Sequence, residues 1–413
     1  MTEYYTNNPA LHYQSIKDSG LSLDLTRGKP SPEQLDLSNG LLTLPGLDYV
    51  DSSGVDSRNY GGLDGLPEMK KLFADILEVE PQEIIVGGNS SLTLMANCLS
   101  WACLFGFPES DAPWIQENNR KFICPVPGYD RHFGITEHLG FTLIGVDMTD
   151  DGPNMNQVES IVMSDSSVKG IWCVPKYSNP TGACYCDETV HRLAYMTTAA
   201  KDFRILWDNA YAEHHLTDNP PSLANILQEC RSAGNENRVL EFASTSKMTF
   251  PGAGVSALAA GSQNIAWCKK HIGAQSIGPD KINQLRHLQL IPNVDALRIH
   301  MEQHRHLVKP KFDMVIQVLE QQLGDSGIAH WTNPKGGYFI SLDVQPGSAK
   351  RVIQLAAEAG VALTSAGAPF PYGNDPQDCN IRIAPTFASL EEVESATRAL
   401  CACILLANSE RQD

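Results

Sequence analysis

The chain has 413 residues, 42% hydrophobic and 19% charged, which exceeds one ordinary core and predicts about two soluble globular domains. It carries 31 basic against 48 acidic residues, a formal net charge of -17, which argues against nucleic acid and anionic membranes as partners. Its 11 cysteines include no C-x-x-C and read as free, mostly buried thiols rather than metal ligands or disulfides, which points to a reducing, cytoplasmic compartment. The polar N-terminus lacks an apolar signal core, and no run of about 18 apolar residues predicts a membrane span.

In chain order, residues 1–50 are rich in Pro, Gly and Ser and read as an extended arm that packs with the C-terminal part. Gly28, in L-T-R-G-K-P, is either a turn or a place where backbone approaches a ligand. Residues 51–290 form a large domain. Seven short apolar runs begin at Ile84, Phe122, Phe141, Gly170, Arg204, Val239 and Val255. Stretches such as Leu92–Phe105 and Asp187–Lys201 are long enough for helices between them. This alternation predicts an α/β fold with a seven-stranded, mostly parallel sheet. About ten residues separate the last two runs, too few for a right-handed crossover, so one strand is expected to be antiparallel. Residues 291–413 mix strands and helices, a smaller α+β domain. Asp295–Leu323 reads as helix with a kink or break at Pro310, Ala349–Ala359 as helix, and a last helix starts near Ser389, where Glu392 completes a capping box.

Ligands in open α/β sheets sit at the carboxyl ends of strands, and polar groups recur there. Gly88, Asn89 and Ser90 follow the first run and open a helix, a ready phosphate site. Tyr129, in P-G-Y-D, can lie against an aromatic ring. Asn179, in S-N-P-T-G, can donate to a phenolate oxygen, and Tyr211 can reach the same oxygen. Asp208, in W-D-N-A-Y, is either a helix N-cap or the partner of a cationic nitrogen. Lys247 closes V-L-E-F-A-S-T-S-K, with Ser244 and Ser246 as further phosphate donors. Each of these residues alone also reads as an ordinary turn, cap or surface charge. Together, an amine for a Schiff base and a carboxylate for a ring nitrogen suit pyridoxal 5'-phosphate (PLP). Arg382, in N-I-R-I-A-P, is either a surface arginine or a clamp for a substrate carboxylate.

With S-T-S-K-M-T-F-P-G-A-G-V and Q-S-I-G-P-D-K-I-N-Q-L-R-H, the chain resembles class I, fold-type I PLP-dependent aminotransferases over nearly its whole length. It is most similar to the aspartate aminotransferase type Ic, or MocR-like, subgroup. The resemblance implies that Lys247 carries the cofactor and shuttles the α-proton. Asp208 pairs with the pyridine nitrogen, Asn179 and Tyr211 bind the ring oxygen, and Tyr129 stacks on the ring. Gly88, Asn89, Ser90, Ser244 and Ser246 surround the phosphate, and Arg382 binds the α-carboxylate with Gly28 nearby. It also implies a homodimer with shared active sites, in which Tyr60 reaches the partner's phosphate. Lys281 or Arg286, judged by spacing, binds a distal carboxylate. One position departs: many relatives carry a phosphate-binding arginine where this chain has Gly254.

The implied activity is L-aspartate:2-oxoglutarate aminotransfer, ping-pong through a pyridoxamine form, on amino acid and 2-oxo acid substrates. The alternatives are an aminotransferase for alanine or aromatic amino acids, a PLP lyase, or an aminotransferase-like regulatory ligand-binding protein. A nucleotide-binding α/β protein is disfavoured, since G-x-G-x-x-G does not follow the first strand.

Overall fold

The computed structural model describes residues 8–26 and 28–411. β1 (Leu23–Asp24) precedes the large sheet. That sheet contains β2 (Ile84–Val86), β3 (Lys121–Val126), β4 (Thr142–Thr149), β5 (Gly152–Pro153), β6 (Val168–Cys173), β7 (Arg204–Asp208), β8 (Val239–Ser244) and β9 (Ser256–Ala260). Its order is β2-β9-β8-β7-β6-β3-β4-β5. All seven apolar runs form strands. The eighth strand, β5, has two residues and folds back antiparallel on β4; it carries no apolar run, so the seven-stranded expectation is corrected to eight. The expected antiparallel member is β9, which pairs in that sense with both β8 and β2.

Both faces of this sheet are covered, so successive side chains alternate between two cores. Ile205 and Trp207 of β7 point to one core and Leu206 to the other. The helices Ser91–Phe105 and Ser262–Gln275 cover the Leu206 side, supplying Leu94, Trp101 and Trp267. The helices Met155–Ser164, Asp187–Tyr195 and Ile226–Ser232 cover the other, supplying Val158, Leu193 and Ile226. Burying each such large apolar side chain contributes about 1.5–3 kcal/mol.

The C-terminal part holds β10 (Ala329–Trp331), β11 (Ile340–Val344), β12 (Val361–Ala362) and β13 (Asn380–Ile383). Strands β10, β11 and β13 form an antiparallel sheet, while β12 pairs in parallel with β1. The N-terminal segment is not extended throughout, a correction to the arm expected there. Asn8 caps a helix at Pro9–Lys17, and Ser31 with Gln34 forms a capping box on Pro32–Asp36. A polar cap followed directly by proline is a helix start. Tyr13 donates to the Leu355 carbonyl at 3.0 Å. Tyr13 and Leu25 share a core with Val315, Leu342 and Leu400.

Helix Val294–Leu323 runs through Pro310 without ending. The lost backbone bond costs about 3 kcal/mol, and burial of Val308, Phe312 and Val315 around it offsets that. The last helix starts with Ser389 as its cap, in a capping box with Glu392. Strands β3, β6, β7 and β8 are mutually parallel. The residues just beyond their carboxyl ends therefore meet along one edge of the sheet.

Candidate active site

At that edge lies a cavity of about 290 Å³ lined by Asn89, Ser90, Tyr129, Asn179, Asp208, Tyr211, Ser244, Ser246 and Lys247. These residues come from five separate stretches of chain, and only the parallel sheet brings them together.

Asp208 ends β7 and is 3% exposed. Its Oδ2 is 2.9 Å from His132 Nε2, while its Oδ1 is buried without a hydrogen-bond partner. An unpaired, buried carboxylate oxygen is costly, so a site of this form suits a cationic N–H. His132 is 1% exposed and lies flat on Trp172, with ring centroids 4.3 Å apart and planes 8° apart. The sequence reading missed His132. Its signal was the spacing of three from Tyr129 at a helix start, which places both on one face.

Lys247 follows β8, and its Nζ lies 4.9 Å from the centre of the Tyr211 ring. Burial lowers its pKa, against an upward pull from Asp208. Among the described residues, no other lysine or arginine lines the cavity. The Lys247 carbonyl accepts from the Tyr338 hydroxyl at 3.2 Å, and Tyr338 in turn is held by Gln34 at 3.1 Å. Burial pushes the Tyr211 phenol well up, and Tyr129 and Asp208 add to this. Tyr129 is pushed up to about 12 by burial, then by Asp208. Buried His214 is held neutral, first by burial and then by the Lys247 charge.

The start of helix Ser91–Phe105 borders the cavity. Ser90 is its cap residue, yet its hydroxyl makes no capping bond and so is free to serve a ligand. The Ser246 hydroxyl donates to the Asn89 carbonyl at 3.1 Å. Gly88 does not line the cavity: its carbonyl accepts from both the amide and the hydroxyl of Ser256, each at 2.8 Å. Gly254 packs against the loop before Lys247. A Cβ there would lie 3.3 Å from the Ser246 backbone nitrogen and 3.2 Å from the Phe250 carbonyl. The close approach of these two backbone segments means that a side chain at this position would require them to shift by a few tenths of an ångström.

Arg382, on β13, is 7% exposed. Its Nη1 donates to Asp130 at 2.9 Å and to Asn179 at 3.4 Å. Gly28 packs on a ring that Arg382 also contacts: a Cβ on it would come within 2.4 Å of Phe339, over which Arg382 sits at 5.1 Å. The remaining three residues lie elsewhere. Tyr60 is 80% exposed. Lys281 Nζ donates to the carbonyls of Asn59 and Gly61, both at 2.7 Å, and Arg286 Nε to the Leu44 carbonyl at 2.7 Å. None of the three lines the cavity of its own chain.

One buried carboxyl lies outside this cavity. Glu241, in the middle of β8, accepts from Asn209 at 3.4 Å, and burial raises its pKa to about 8. The folded protein thus holds this proton from its unfolded value up to about pH 8, so stability is lost as pH rises through that window. Each pKa unit is worth about 1.4 kcal/mol. Glu241→Gln is therefore expected to raise the melting temperature, little below pH 5 and most above pH 8. Thermal melts of both proteins across pH 5–9 check this; a constant difference would assign the effect to packing instead.

Comparison with known proteins gives the family and the fold. The sequence model of the family described as Aspartate amino-transferase matches residues 4–413. An aspartate aminotransferase of Corynebacterium glutamicum is 47% identical over 399 residues, covering 96% of this chain and 92% of its own length. The crystal structure of an aspartate transaminase from the same species superposes with a TM-score of 0.97 at 46% identity, covering 100% of this chain and 97% of that one. An α-aminoadipate aminotransferase of Thermus thermophilus, solved with N-(5'-phosphopyridoxyl)-L-leucine, shares the fold at 19% identity, with a TM-score of 0.76 and 97% of each chain covered. The fold is that of the fold-type I aminotransferases. The chain belongs to the aspartate aminotransferase family, and it is an aminotransferase. Among the described residues, no helix is long and apolar enough to cross a membrane.

Proposed function

We propose that the cavity holds pyridoxal 5'-phosphate and that the protein moves the amino group of L-aspartate to 2-oxoglutarate. The observation that carries the cofactor reading is the pair formed by Asp208 and Lys247. One Asp208 oxygen is fixed by His132, the other is unpartnered, and the Lys247 amine lines the same cavity. The preference for aspartate rests on the similarity to the Corynebacterium glutamicum enzyme.

When bound, the cofactor supplies an electron sink for the bond broken at the substrate α-carbon. Asp208 balances the charge of the ring nitrogen, and His132 keeps that carboxylate oriented. Asn179 and Tyr211 hold the ring oxygen, and Tyr129 covers the ring face. Ser90, Ser244, Ser246 and the helix start hold the phosphate with neutral donors, which answers the missing arginine at Gly254. Lys247 attaches the cofactor and moves the α-proton, for which its lowered pKa suits it. Arg382 takes the substrate α-carboxylate. Gly88 acts one step back, as a backbone tie. Lys281 and Arg286 are read as tethers: Lys281 anchors the loop that presents Tyr60 to a second copy in a homodimer. Solvated side chains and unpaired cysteines suit a cytoplasmic enzyme.

A spectral screen of purified enzyme tests the substrate assignment. L-Aspartate and L-glutamate alone are expected to bleach the visible band of the bound cofactor, and 2-oxoglutarate to restore it. Equal bleaching by L-alanine or L-phenylalanine would remove the dicarboxylate assignment. A band that returns without any oxo acid would indicate a lyase.

A further inference from the structure

Arg382 is surrounded by four groups of unequal character. Nη1 donates to Asp130 Oδ1 at 2.9 Å and Asn179 Oδ1 at 3.4 Å, and Nη2 to Thr364 Oγ1 at 3.4 Å. The Phe339 ring lies 5.1 Å below the guanidinium carbon. Nε is buried without a partner. Among these neighbours only Asp130 carries charge, and its bond is the shortest.

Asp130 differs from Arg382 in a second way. Its side chain is 34% exposed, against 7% for the arginine. It is also the first residue of the helix Asp130–His138, directly after Tyr129 and two before His132. A carboxylate at a helix N-terminus is stabilised by the macrodipole and by water. Asp130 can therefore leave Arg382 and keep its charge at small cost. Arg382 cannot do the same, because a buried guanidinium left with neutral partners is strongly destabilised.

We propose that Asp130 is a built-in competitor for the substrate carboxylate at Arg382, and that this exchange of one carboxylate for another sets substrate affinity. The inference rests on the reading of Arg382 as the holder of the α-carboxylate. Each incoming amino acid or oxo acid gains one charge-assisted pair and breaks another, so net affinity is a difference between two similar terms. The same exchange speeds departure of the product, since Asp130 returns to the arginine as the product leaves. An enzyme that binds and releases carboxylates twice per cycle benefits from such weakening.

The test uses holoenzyme carrying Asp130→Asn, Asp130→Ser, Asp130→Glu or Arg382→Leu, with melting temperatures recorded for each. Calorimetry gives Kd for maleate, a dicarboxylate with no amino group to transfer, and steady-state assays give KM and kcat for the amino donor. Asp130→Asn and Asp130→Ser are expected to lower the maleate Kd and the donor KM roughly five- to twentyfold, with kcat falling if product release limits turnover. Asp130→Glu should return both constants toward those of the original enzyme. A merely structural lesion would raise KM instead. If Arg382→Leu abolishes maleate binding while both neutral variants bind it no tighter than the original enzyme, Asp130 is not a competitor and the role of Arg382 stands. If Arg382→Leu leaves maleate binding unchanged, both readings are overturned.

Discussion

Lys247→Ala is expected to lower turnover by at least about 10⁴-fold, because one side chain serves both as attachment point and as proton carrier. Among the described residues, no second lysine or arginine lines the cavity to replace it. Burial lowers the lysine's pKa, so more of the amine is neutral, and hence nucleophilic, at neutral pH than on an exposed lysine. The position of Nζ over the Tyr211 ring restricts where that amine can reach. The variant should still fold, with a melting temperature equal to or above the original, since a buried amine is removed from a functional site. Borohydride reduction followed by peptide mass analysis gives an independent reading. The phosphopyridoxyl mass should appear on the Lys247 peptide of the original enzyme and on no peptide of the variant. A variant retaining a tenth of the turnover, or a mass found on another lysine, would remove Lys247 from its role.

Asp208→Asn is expected to lower kcat by about 10²–10⁴-fold with a smaller change in KM. The substitution keeps shape and leaves an oxygen for the His132 contact, so it isolates the charge. That charge sits in a nearly dry environment, 3% exposed, where an electrostatic partner is worth more than in water. Kinetics should be paired with a thermal melt to show that the fold is intact. Turnover within a few-fold of the original would mean that Asp208 does not balance a cationic ring nitrogen. In that case the unpartnered Oδ1 would need another explanation.

Much of the fold was legible because the sheet is buried on both faces. Its strands read as apolar runs, and all seven runs became strands. β5 was invisible because two residues, Gly152 and Pro153, carry no pattern. The helix Pro9–Lys17 was missed because a bias toward Pro, Gly and Ser hid a cap-and-proline start. Pro310 misled in the opposite sense: local geometry favours a break there, and tertiary burial overrides it.

By itself the sequence determined which chemical groups follow which strands. Parallel strands carry the groups just past their ends to one side, so strand order alone collects Lys247, Asp208, Asn179 and Tyr129 into one site. Tertiary structure alone decided which partners complete those groups. His132 meets Asp208 at a sequence separation of 76, and Asp130 meets Arg382 at one of 252. It also turned Lys281 and Arg286 toward backbone carbonyls of their own chain. The reason is physical: strand periodicity is a local property of the chain, whereas a hydrogen bond between distant segments depends on how helices and sheets pack. No spacing in the sequence encodes that distance.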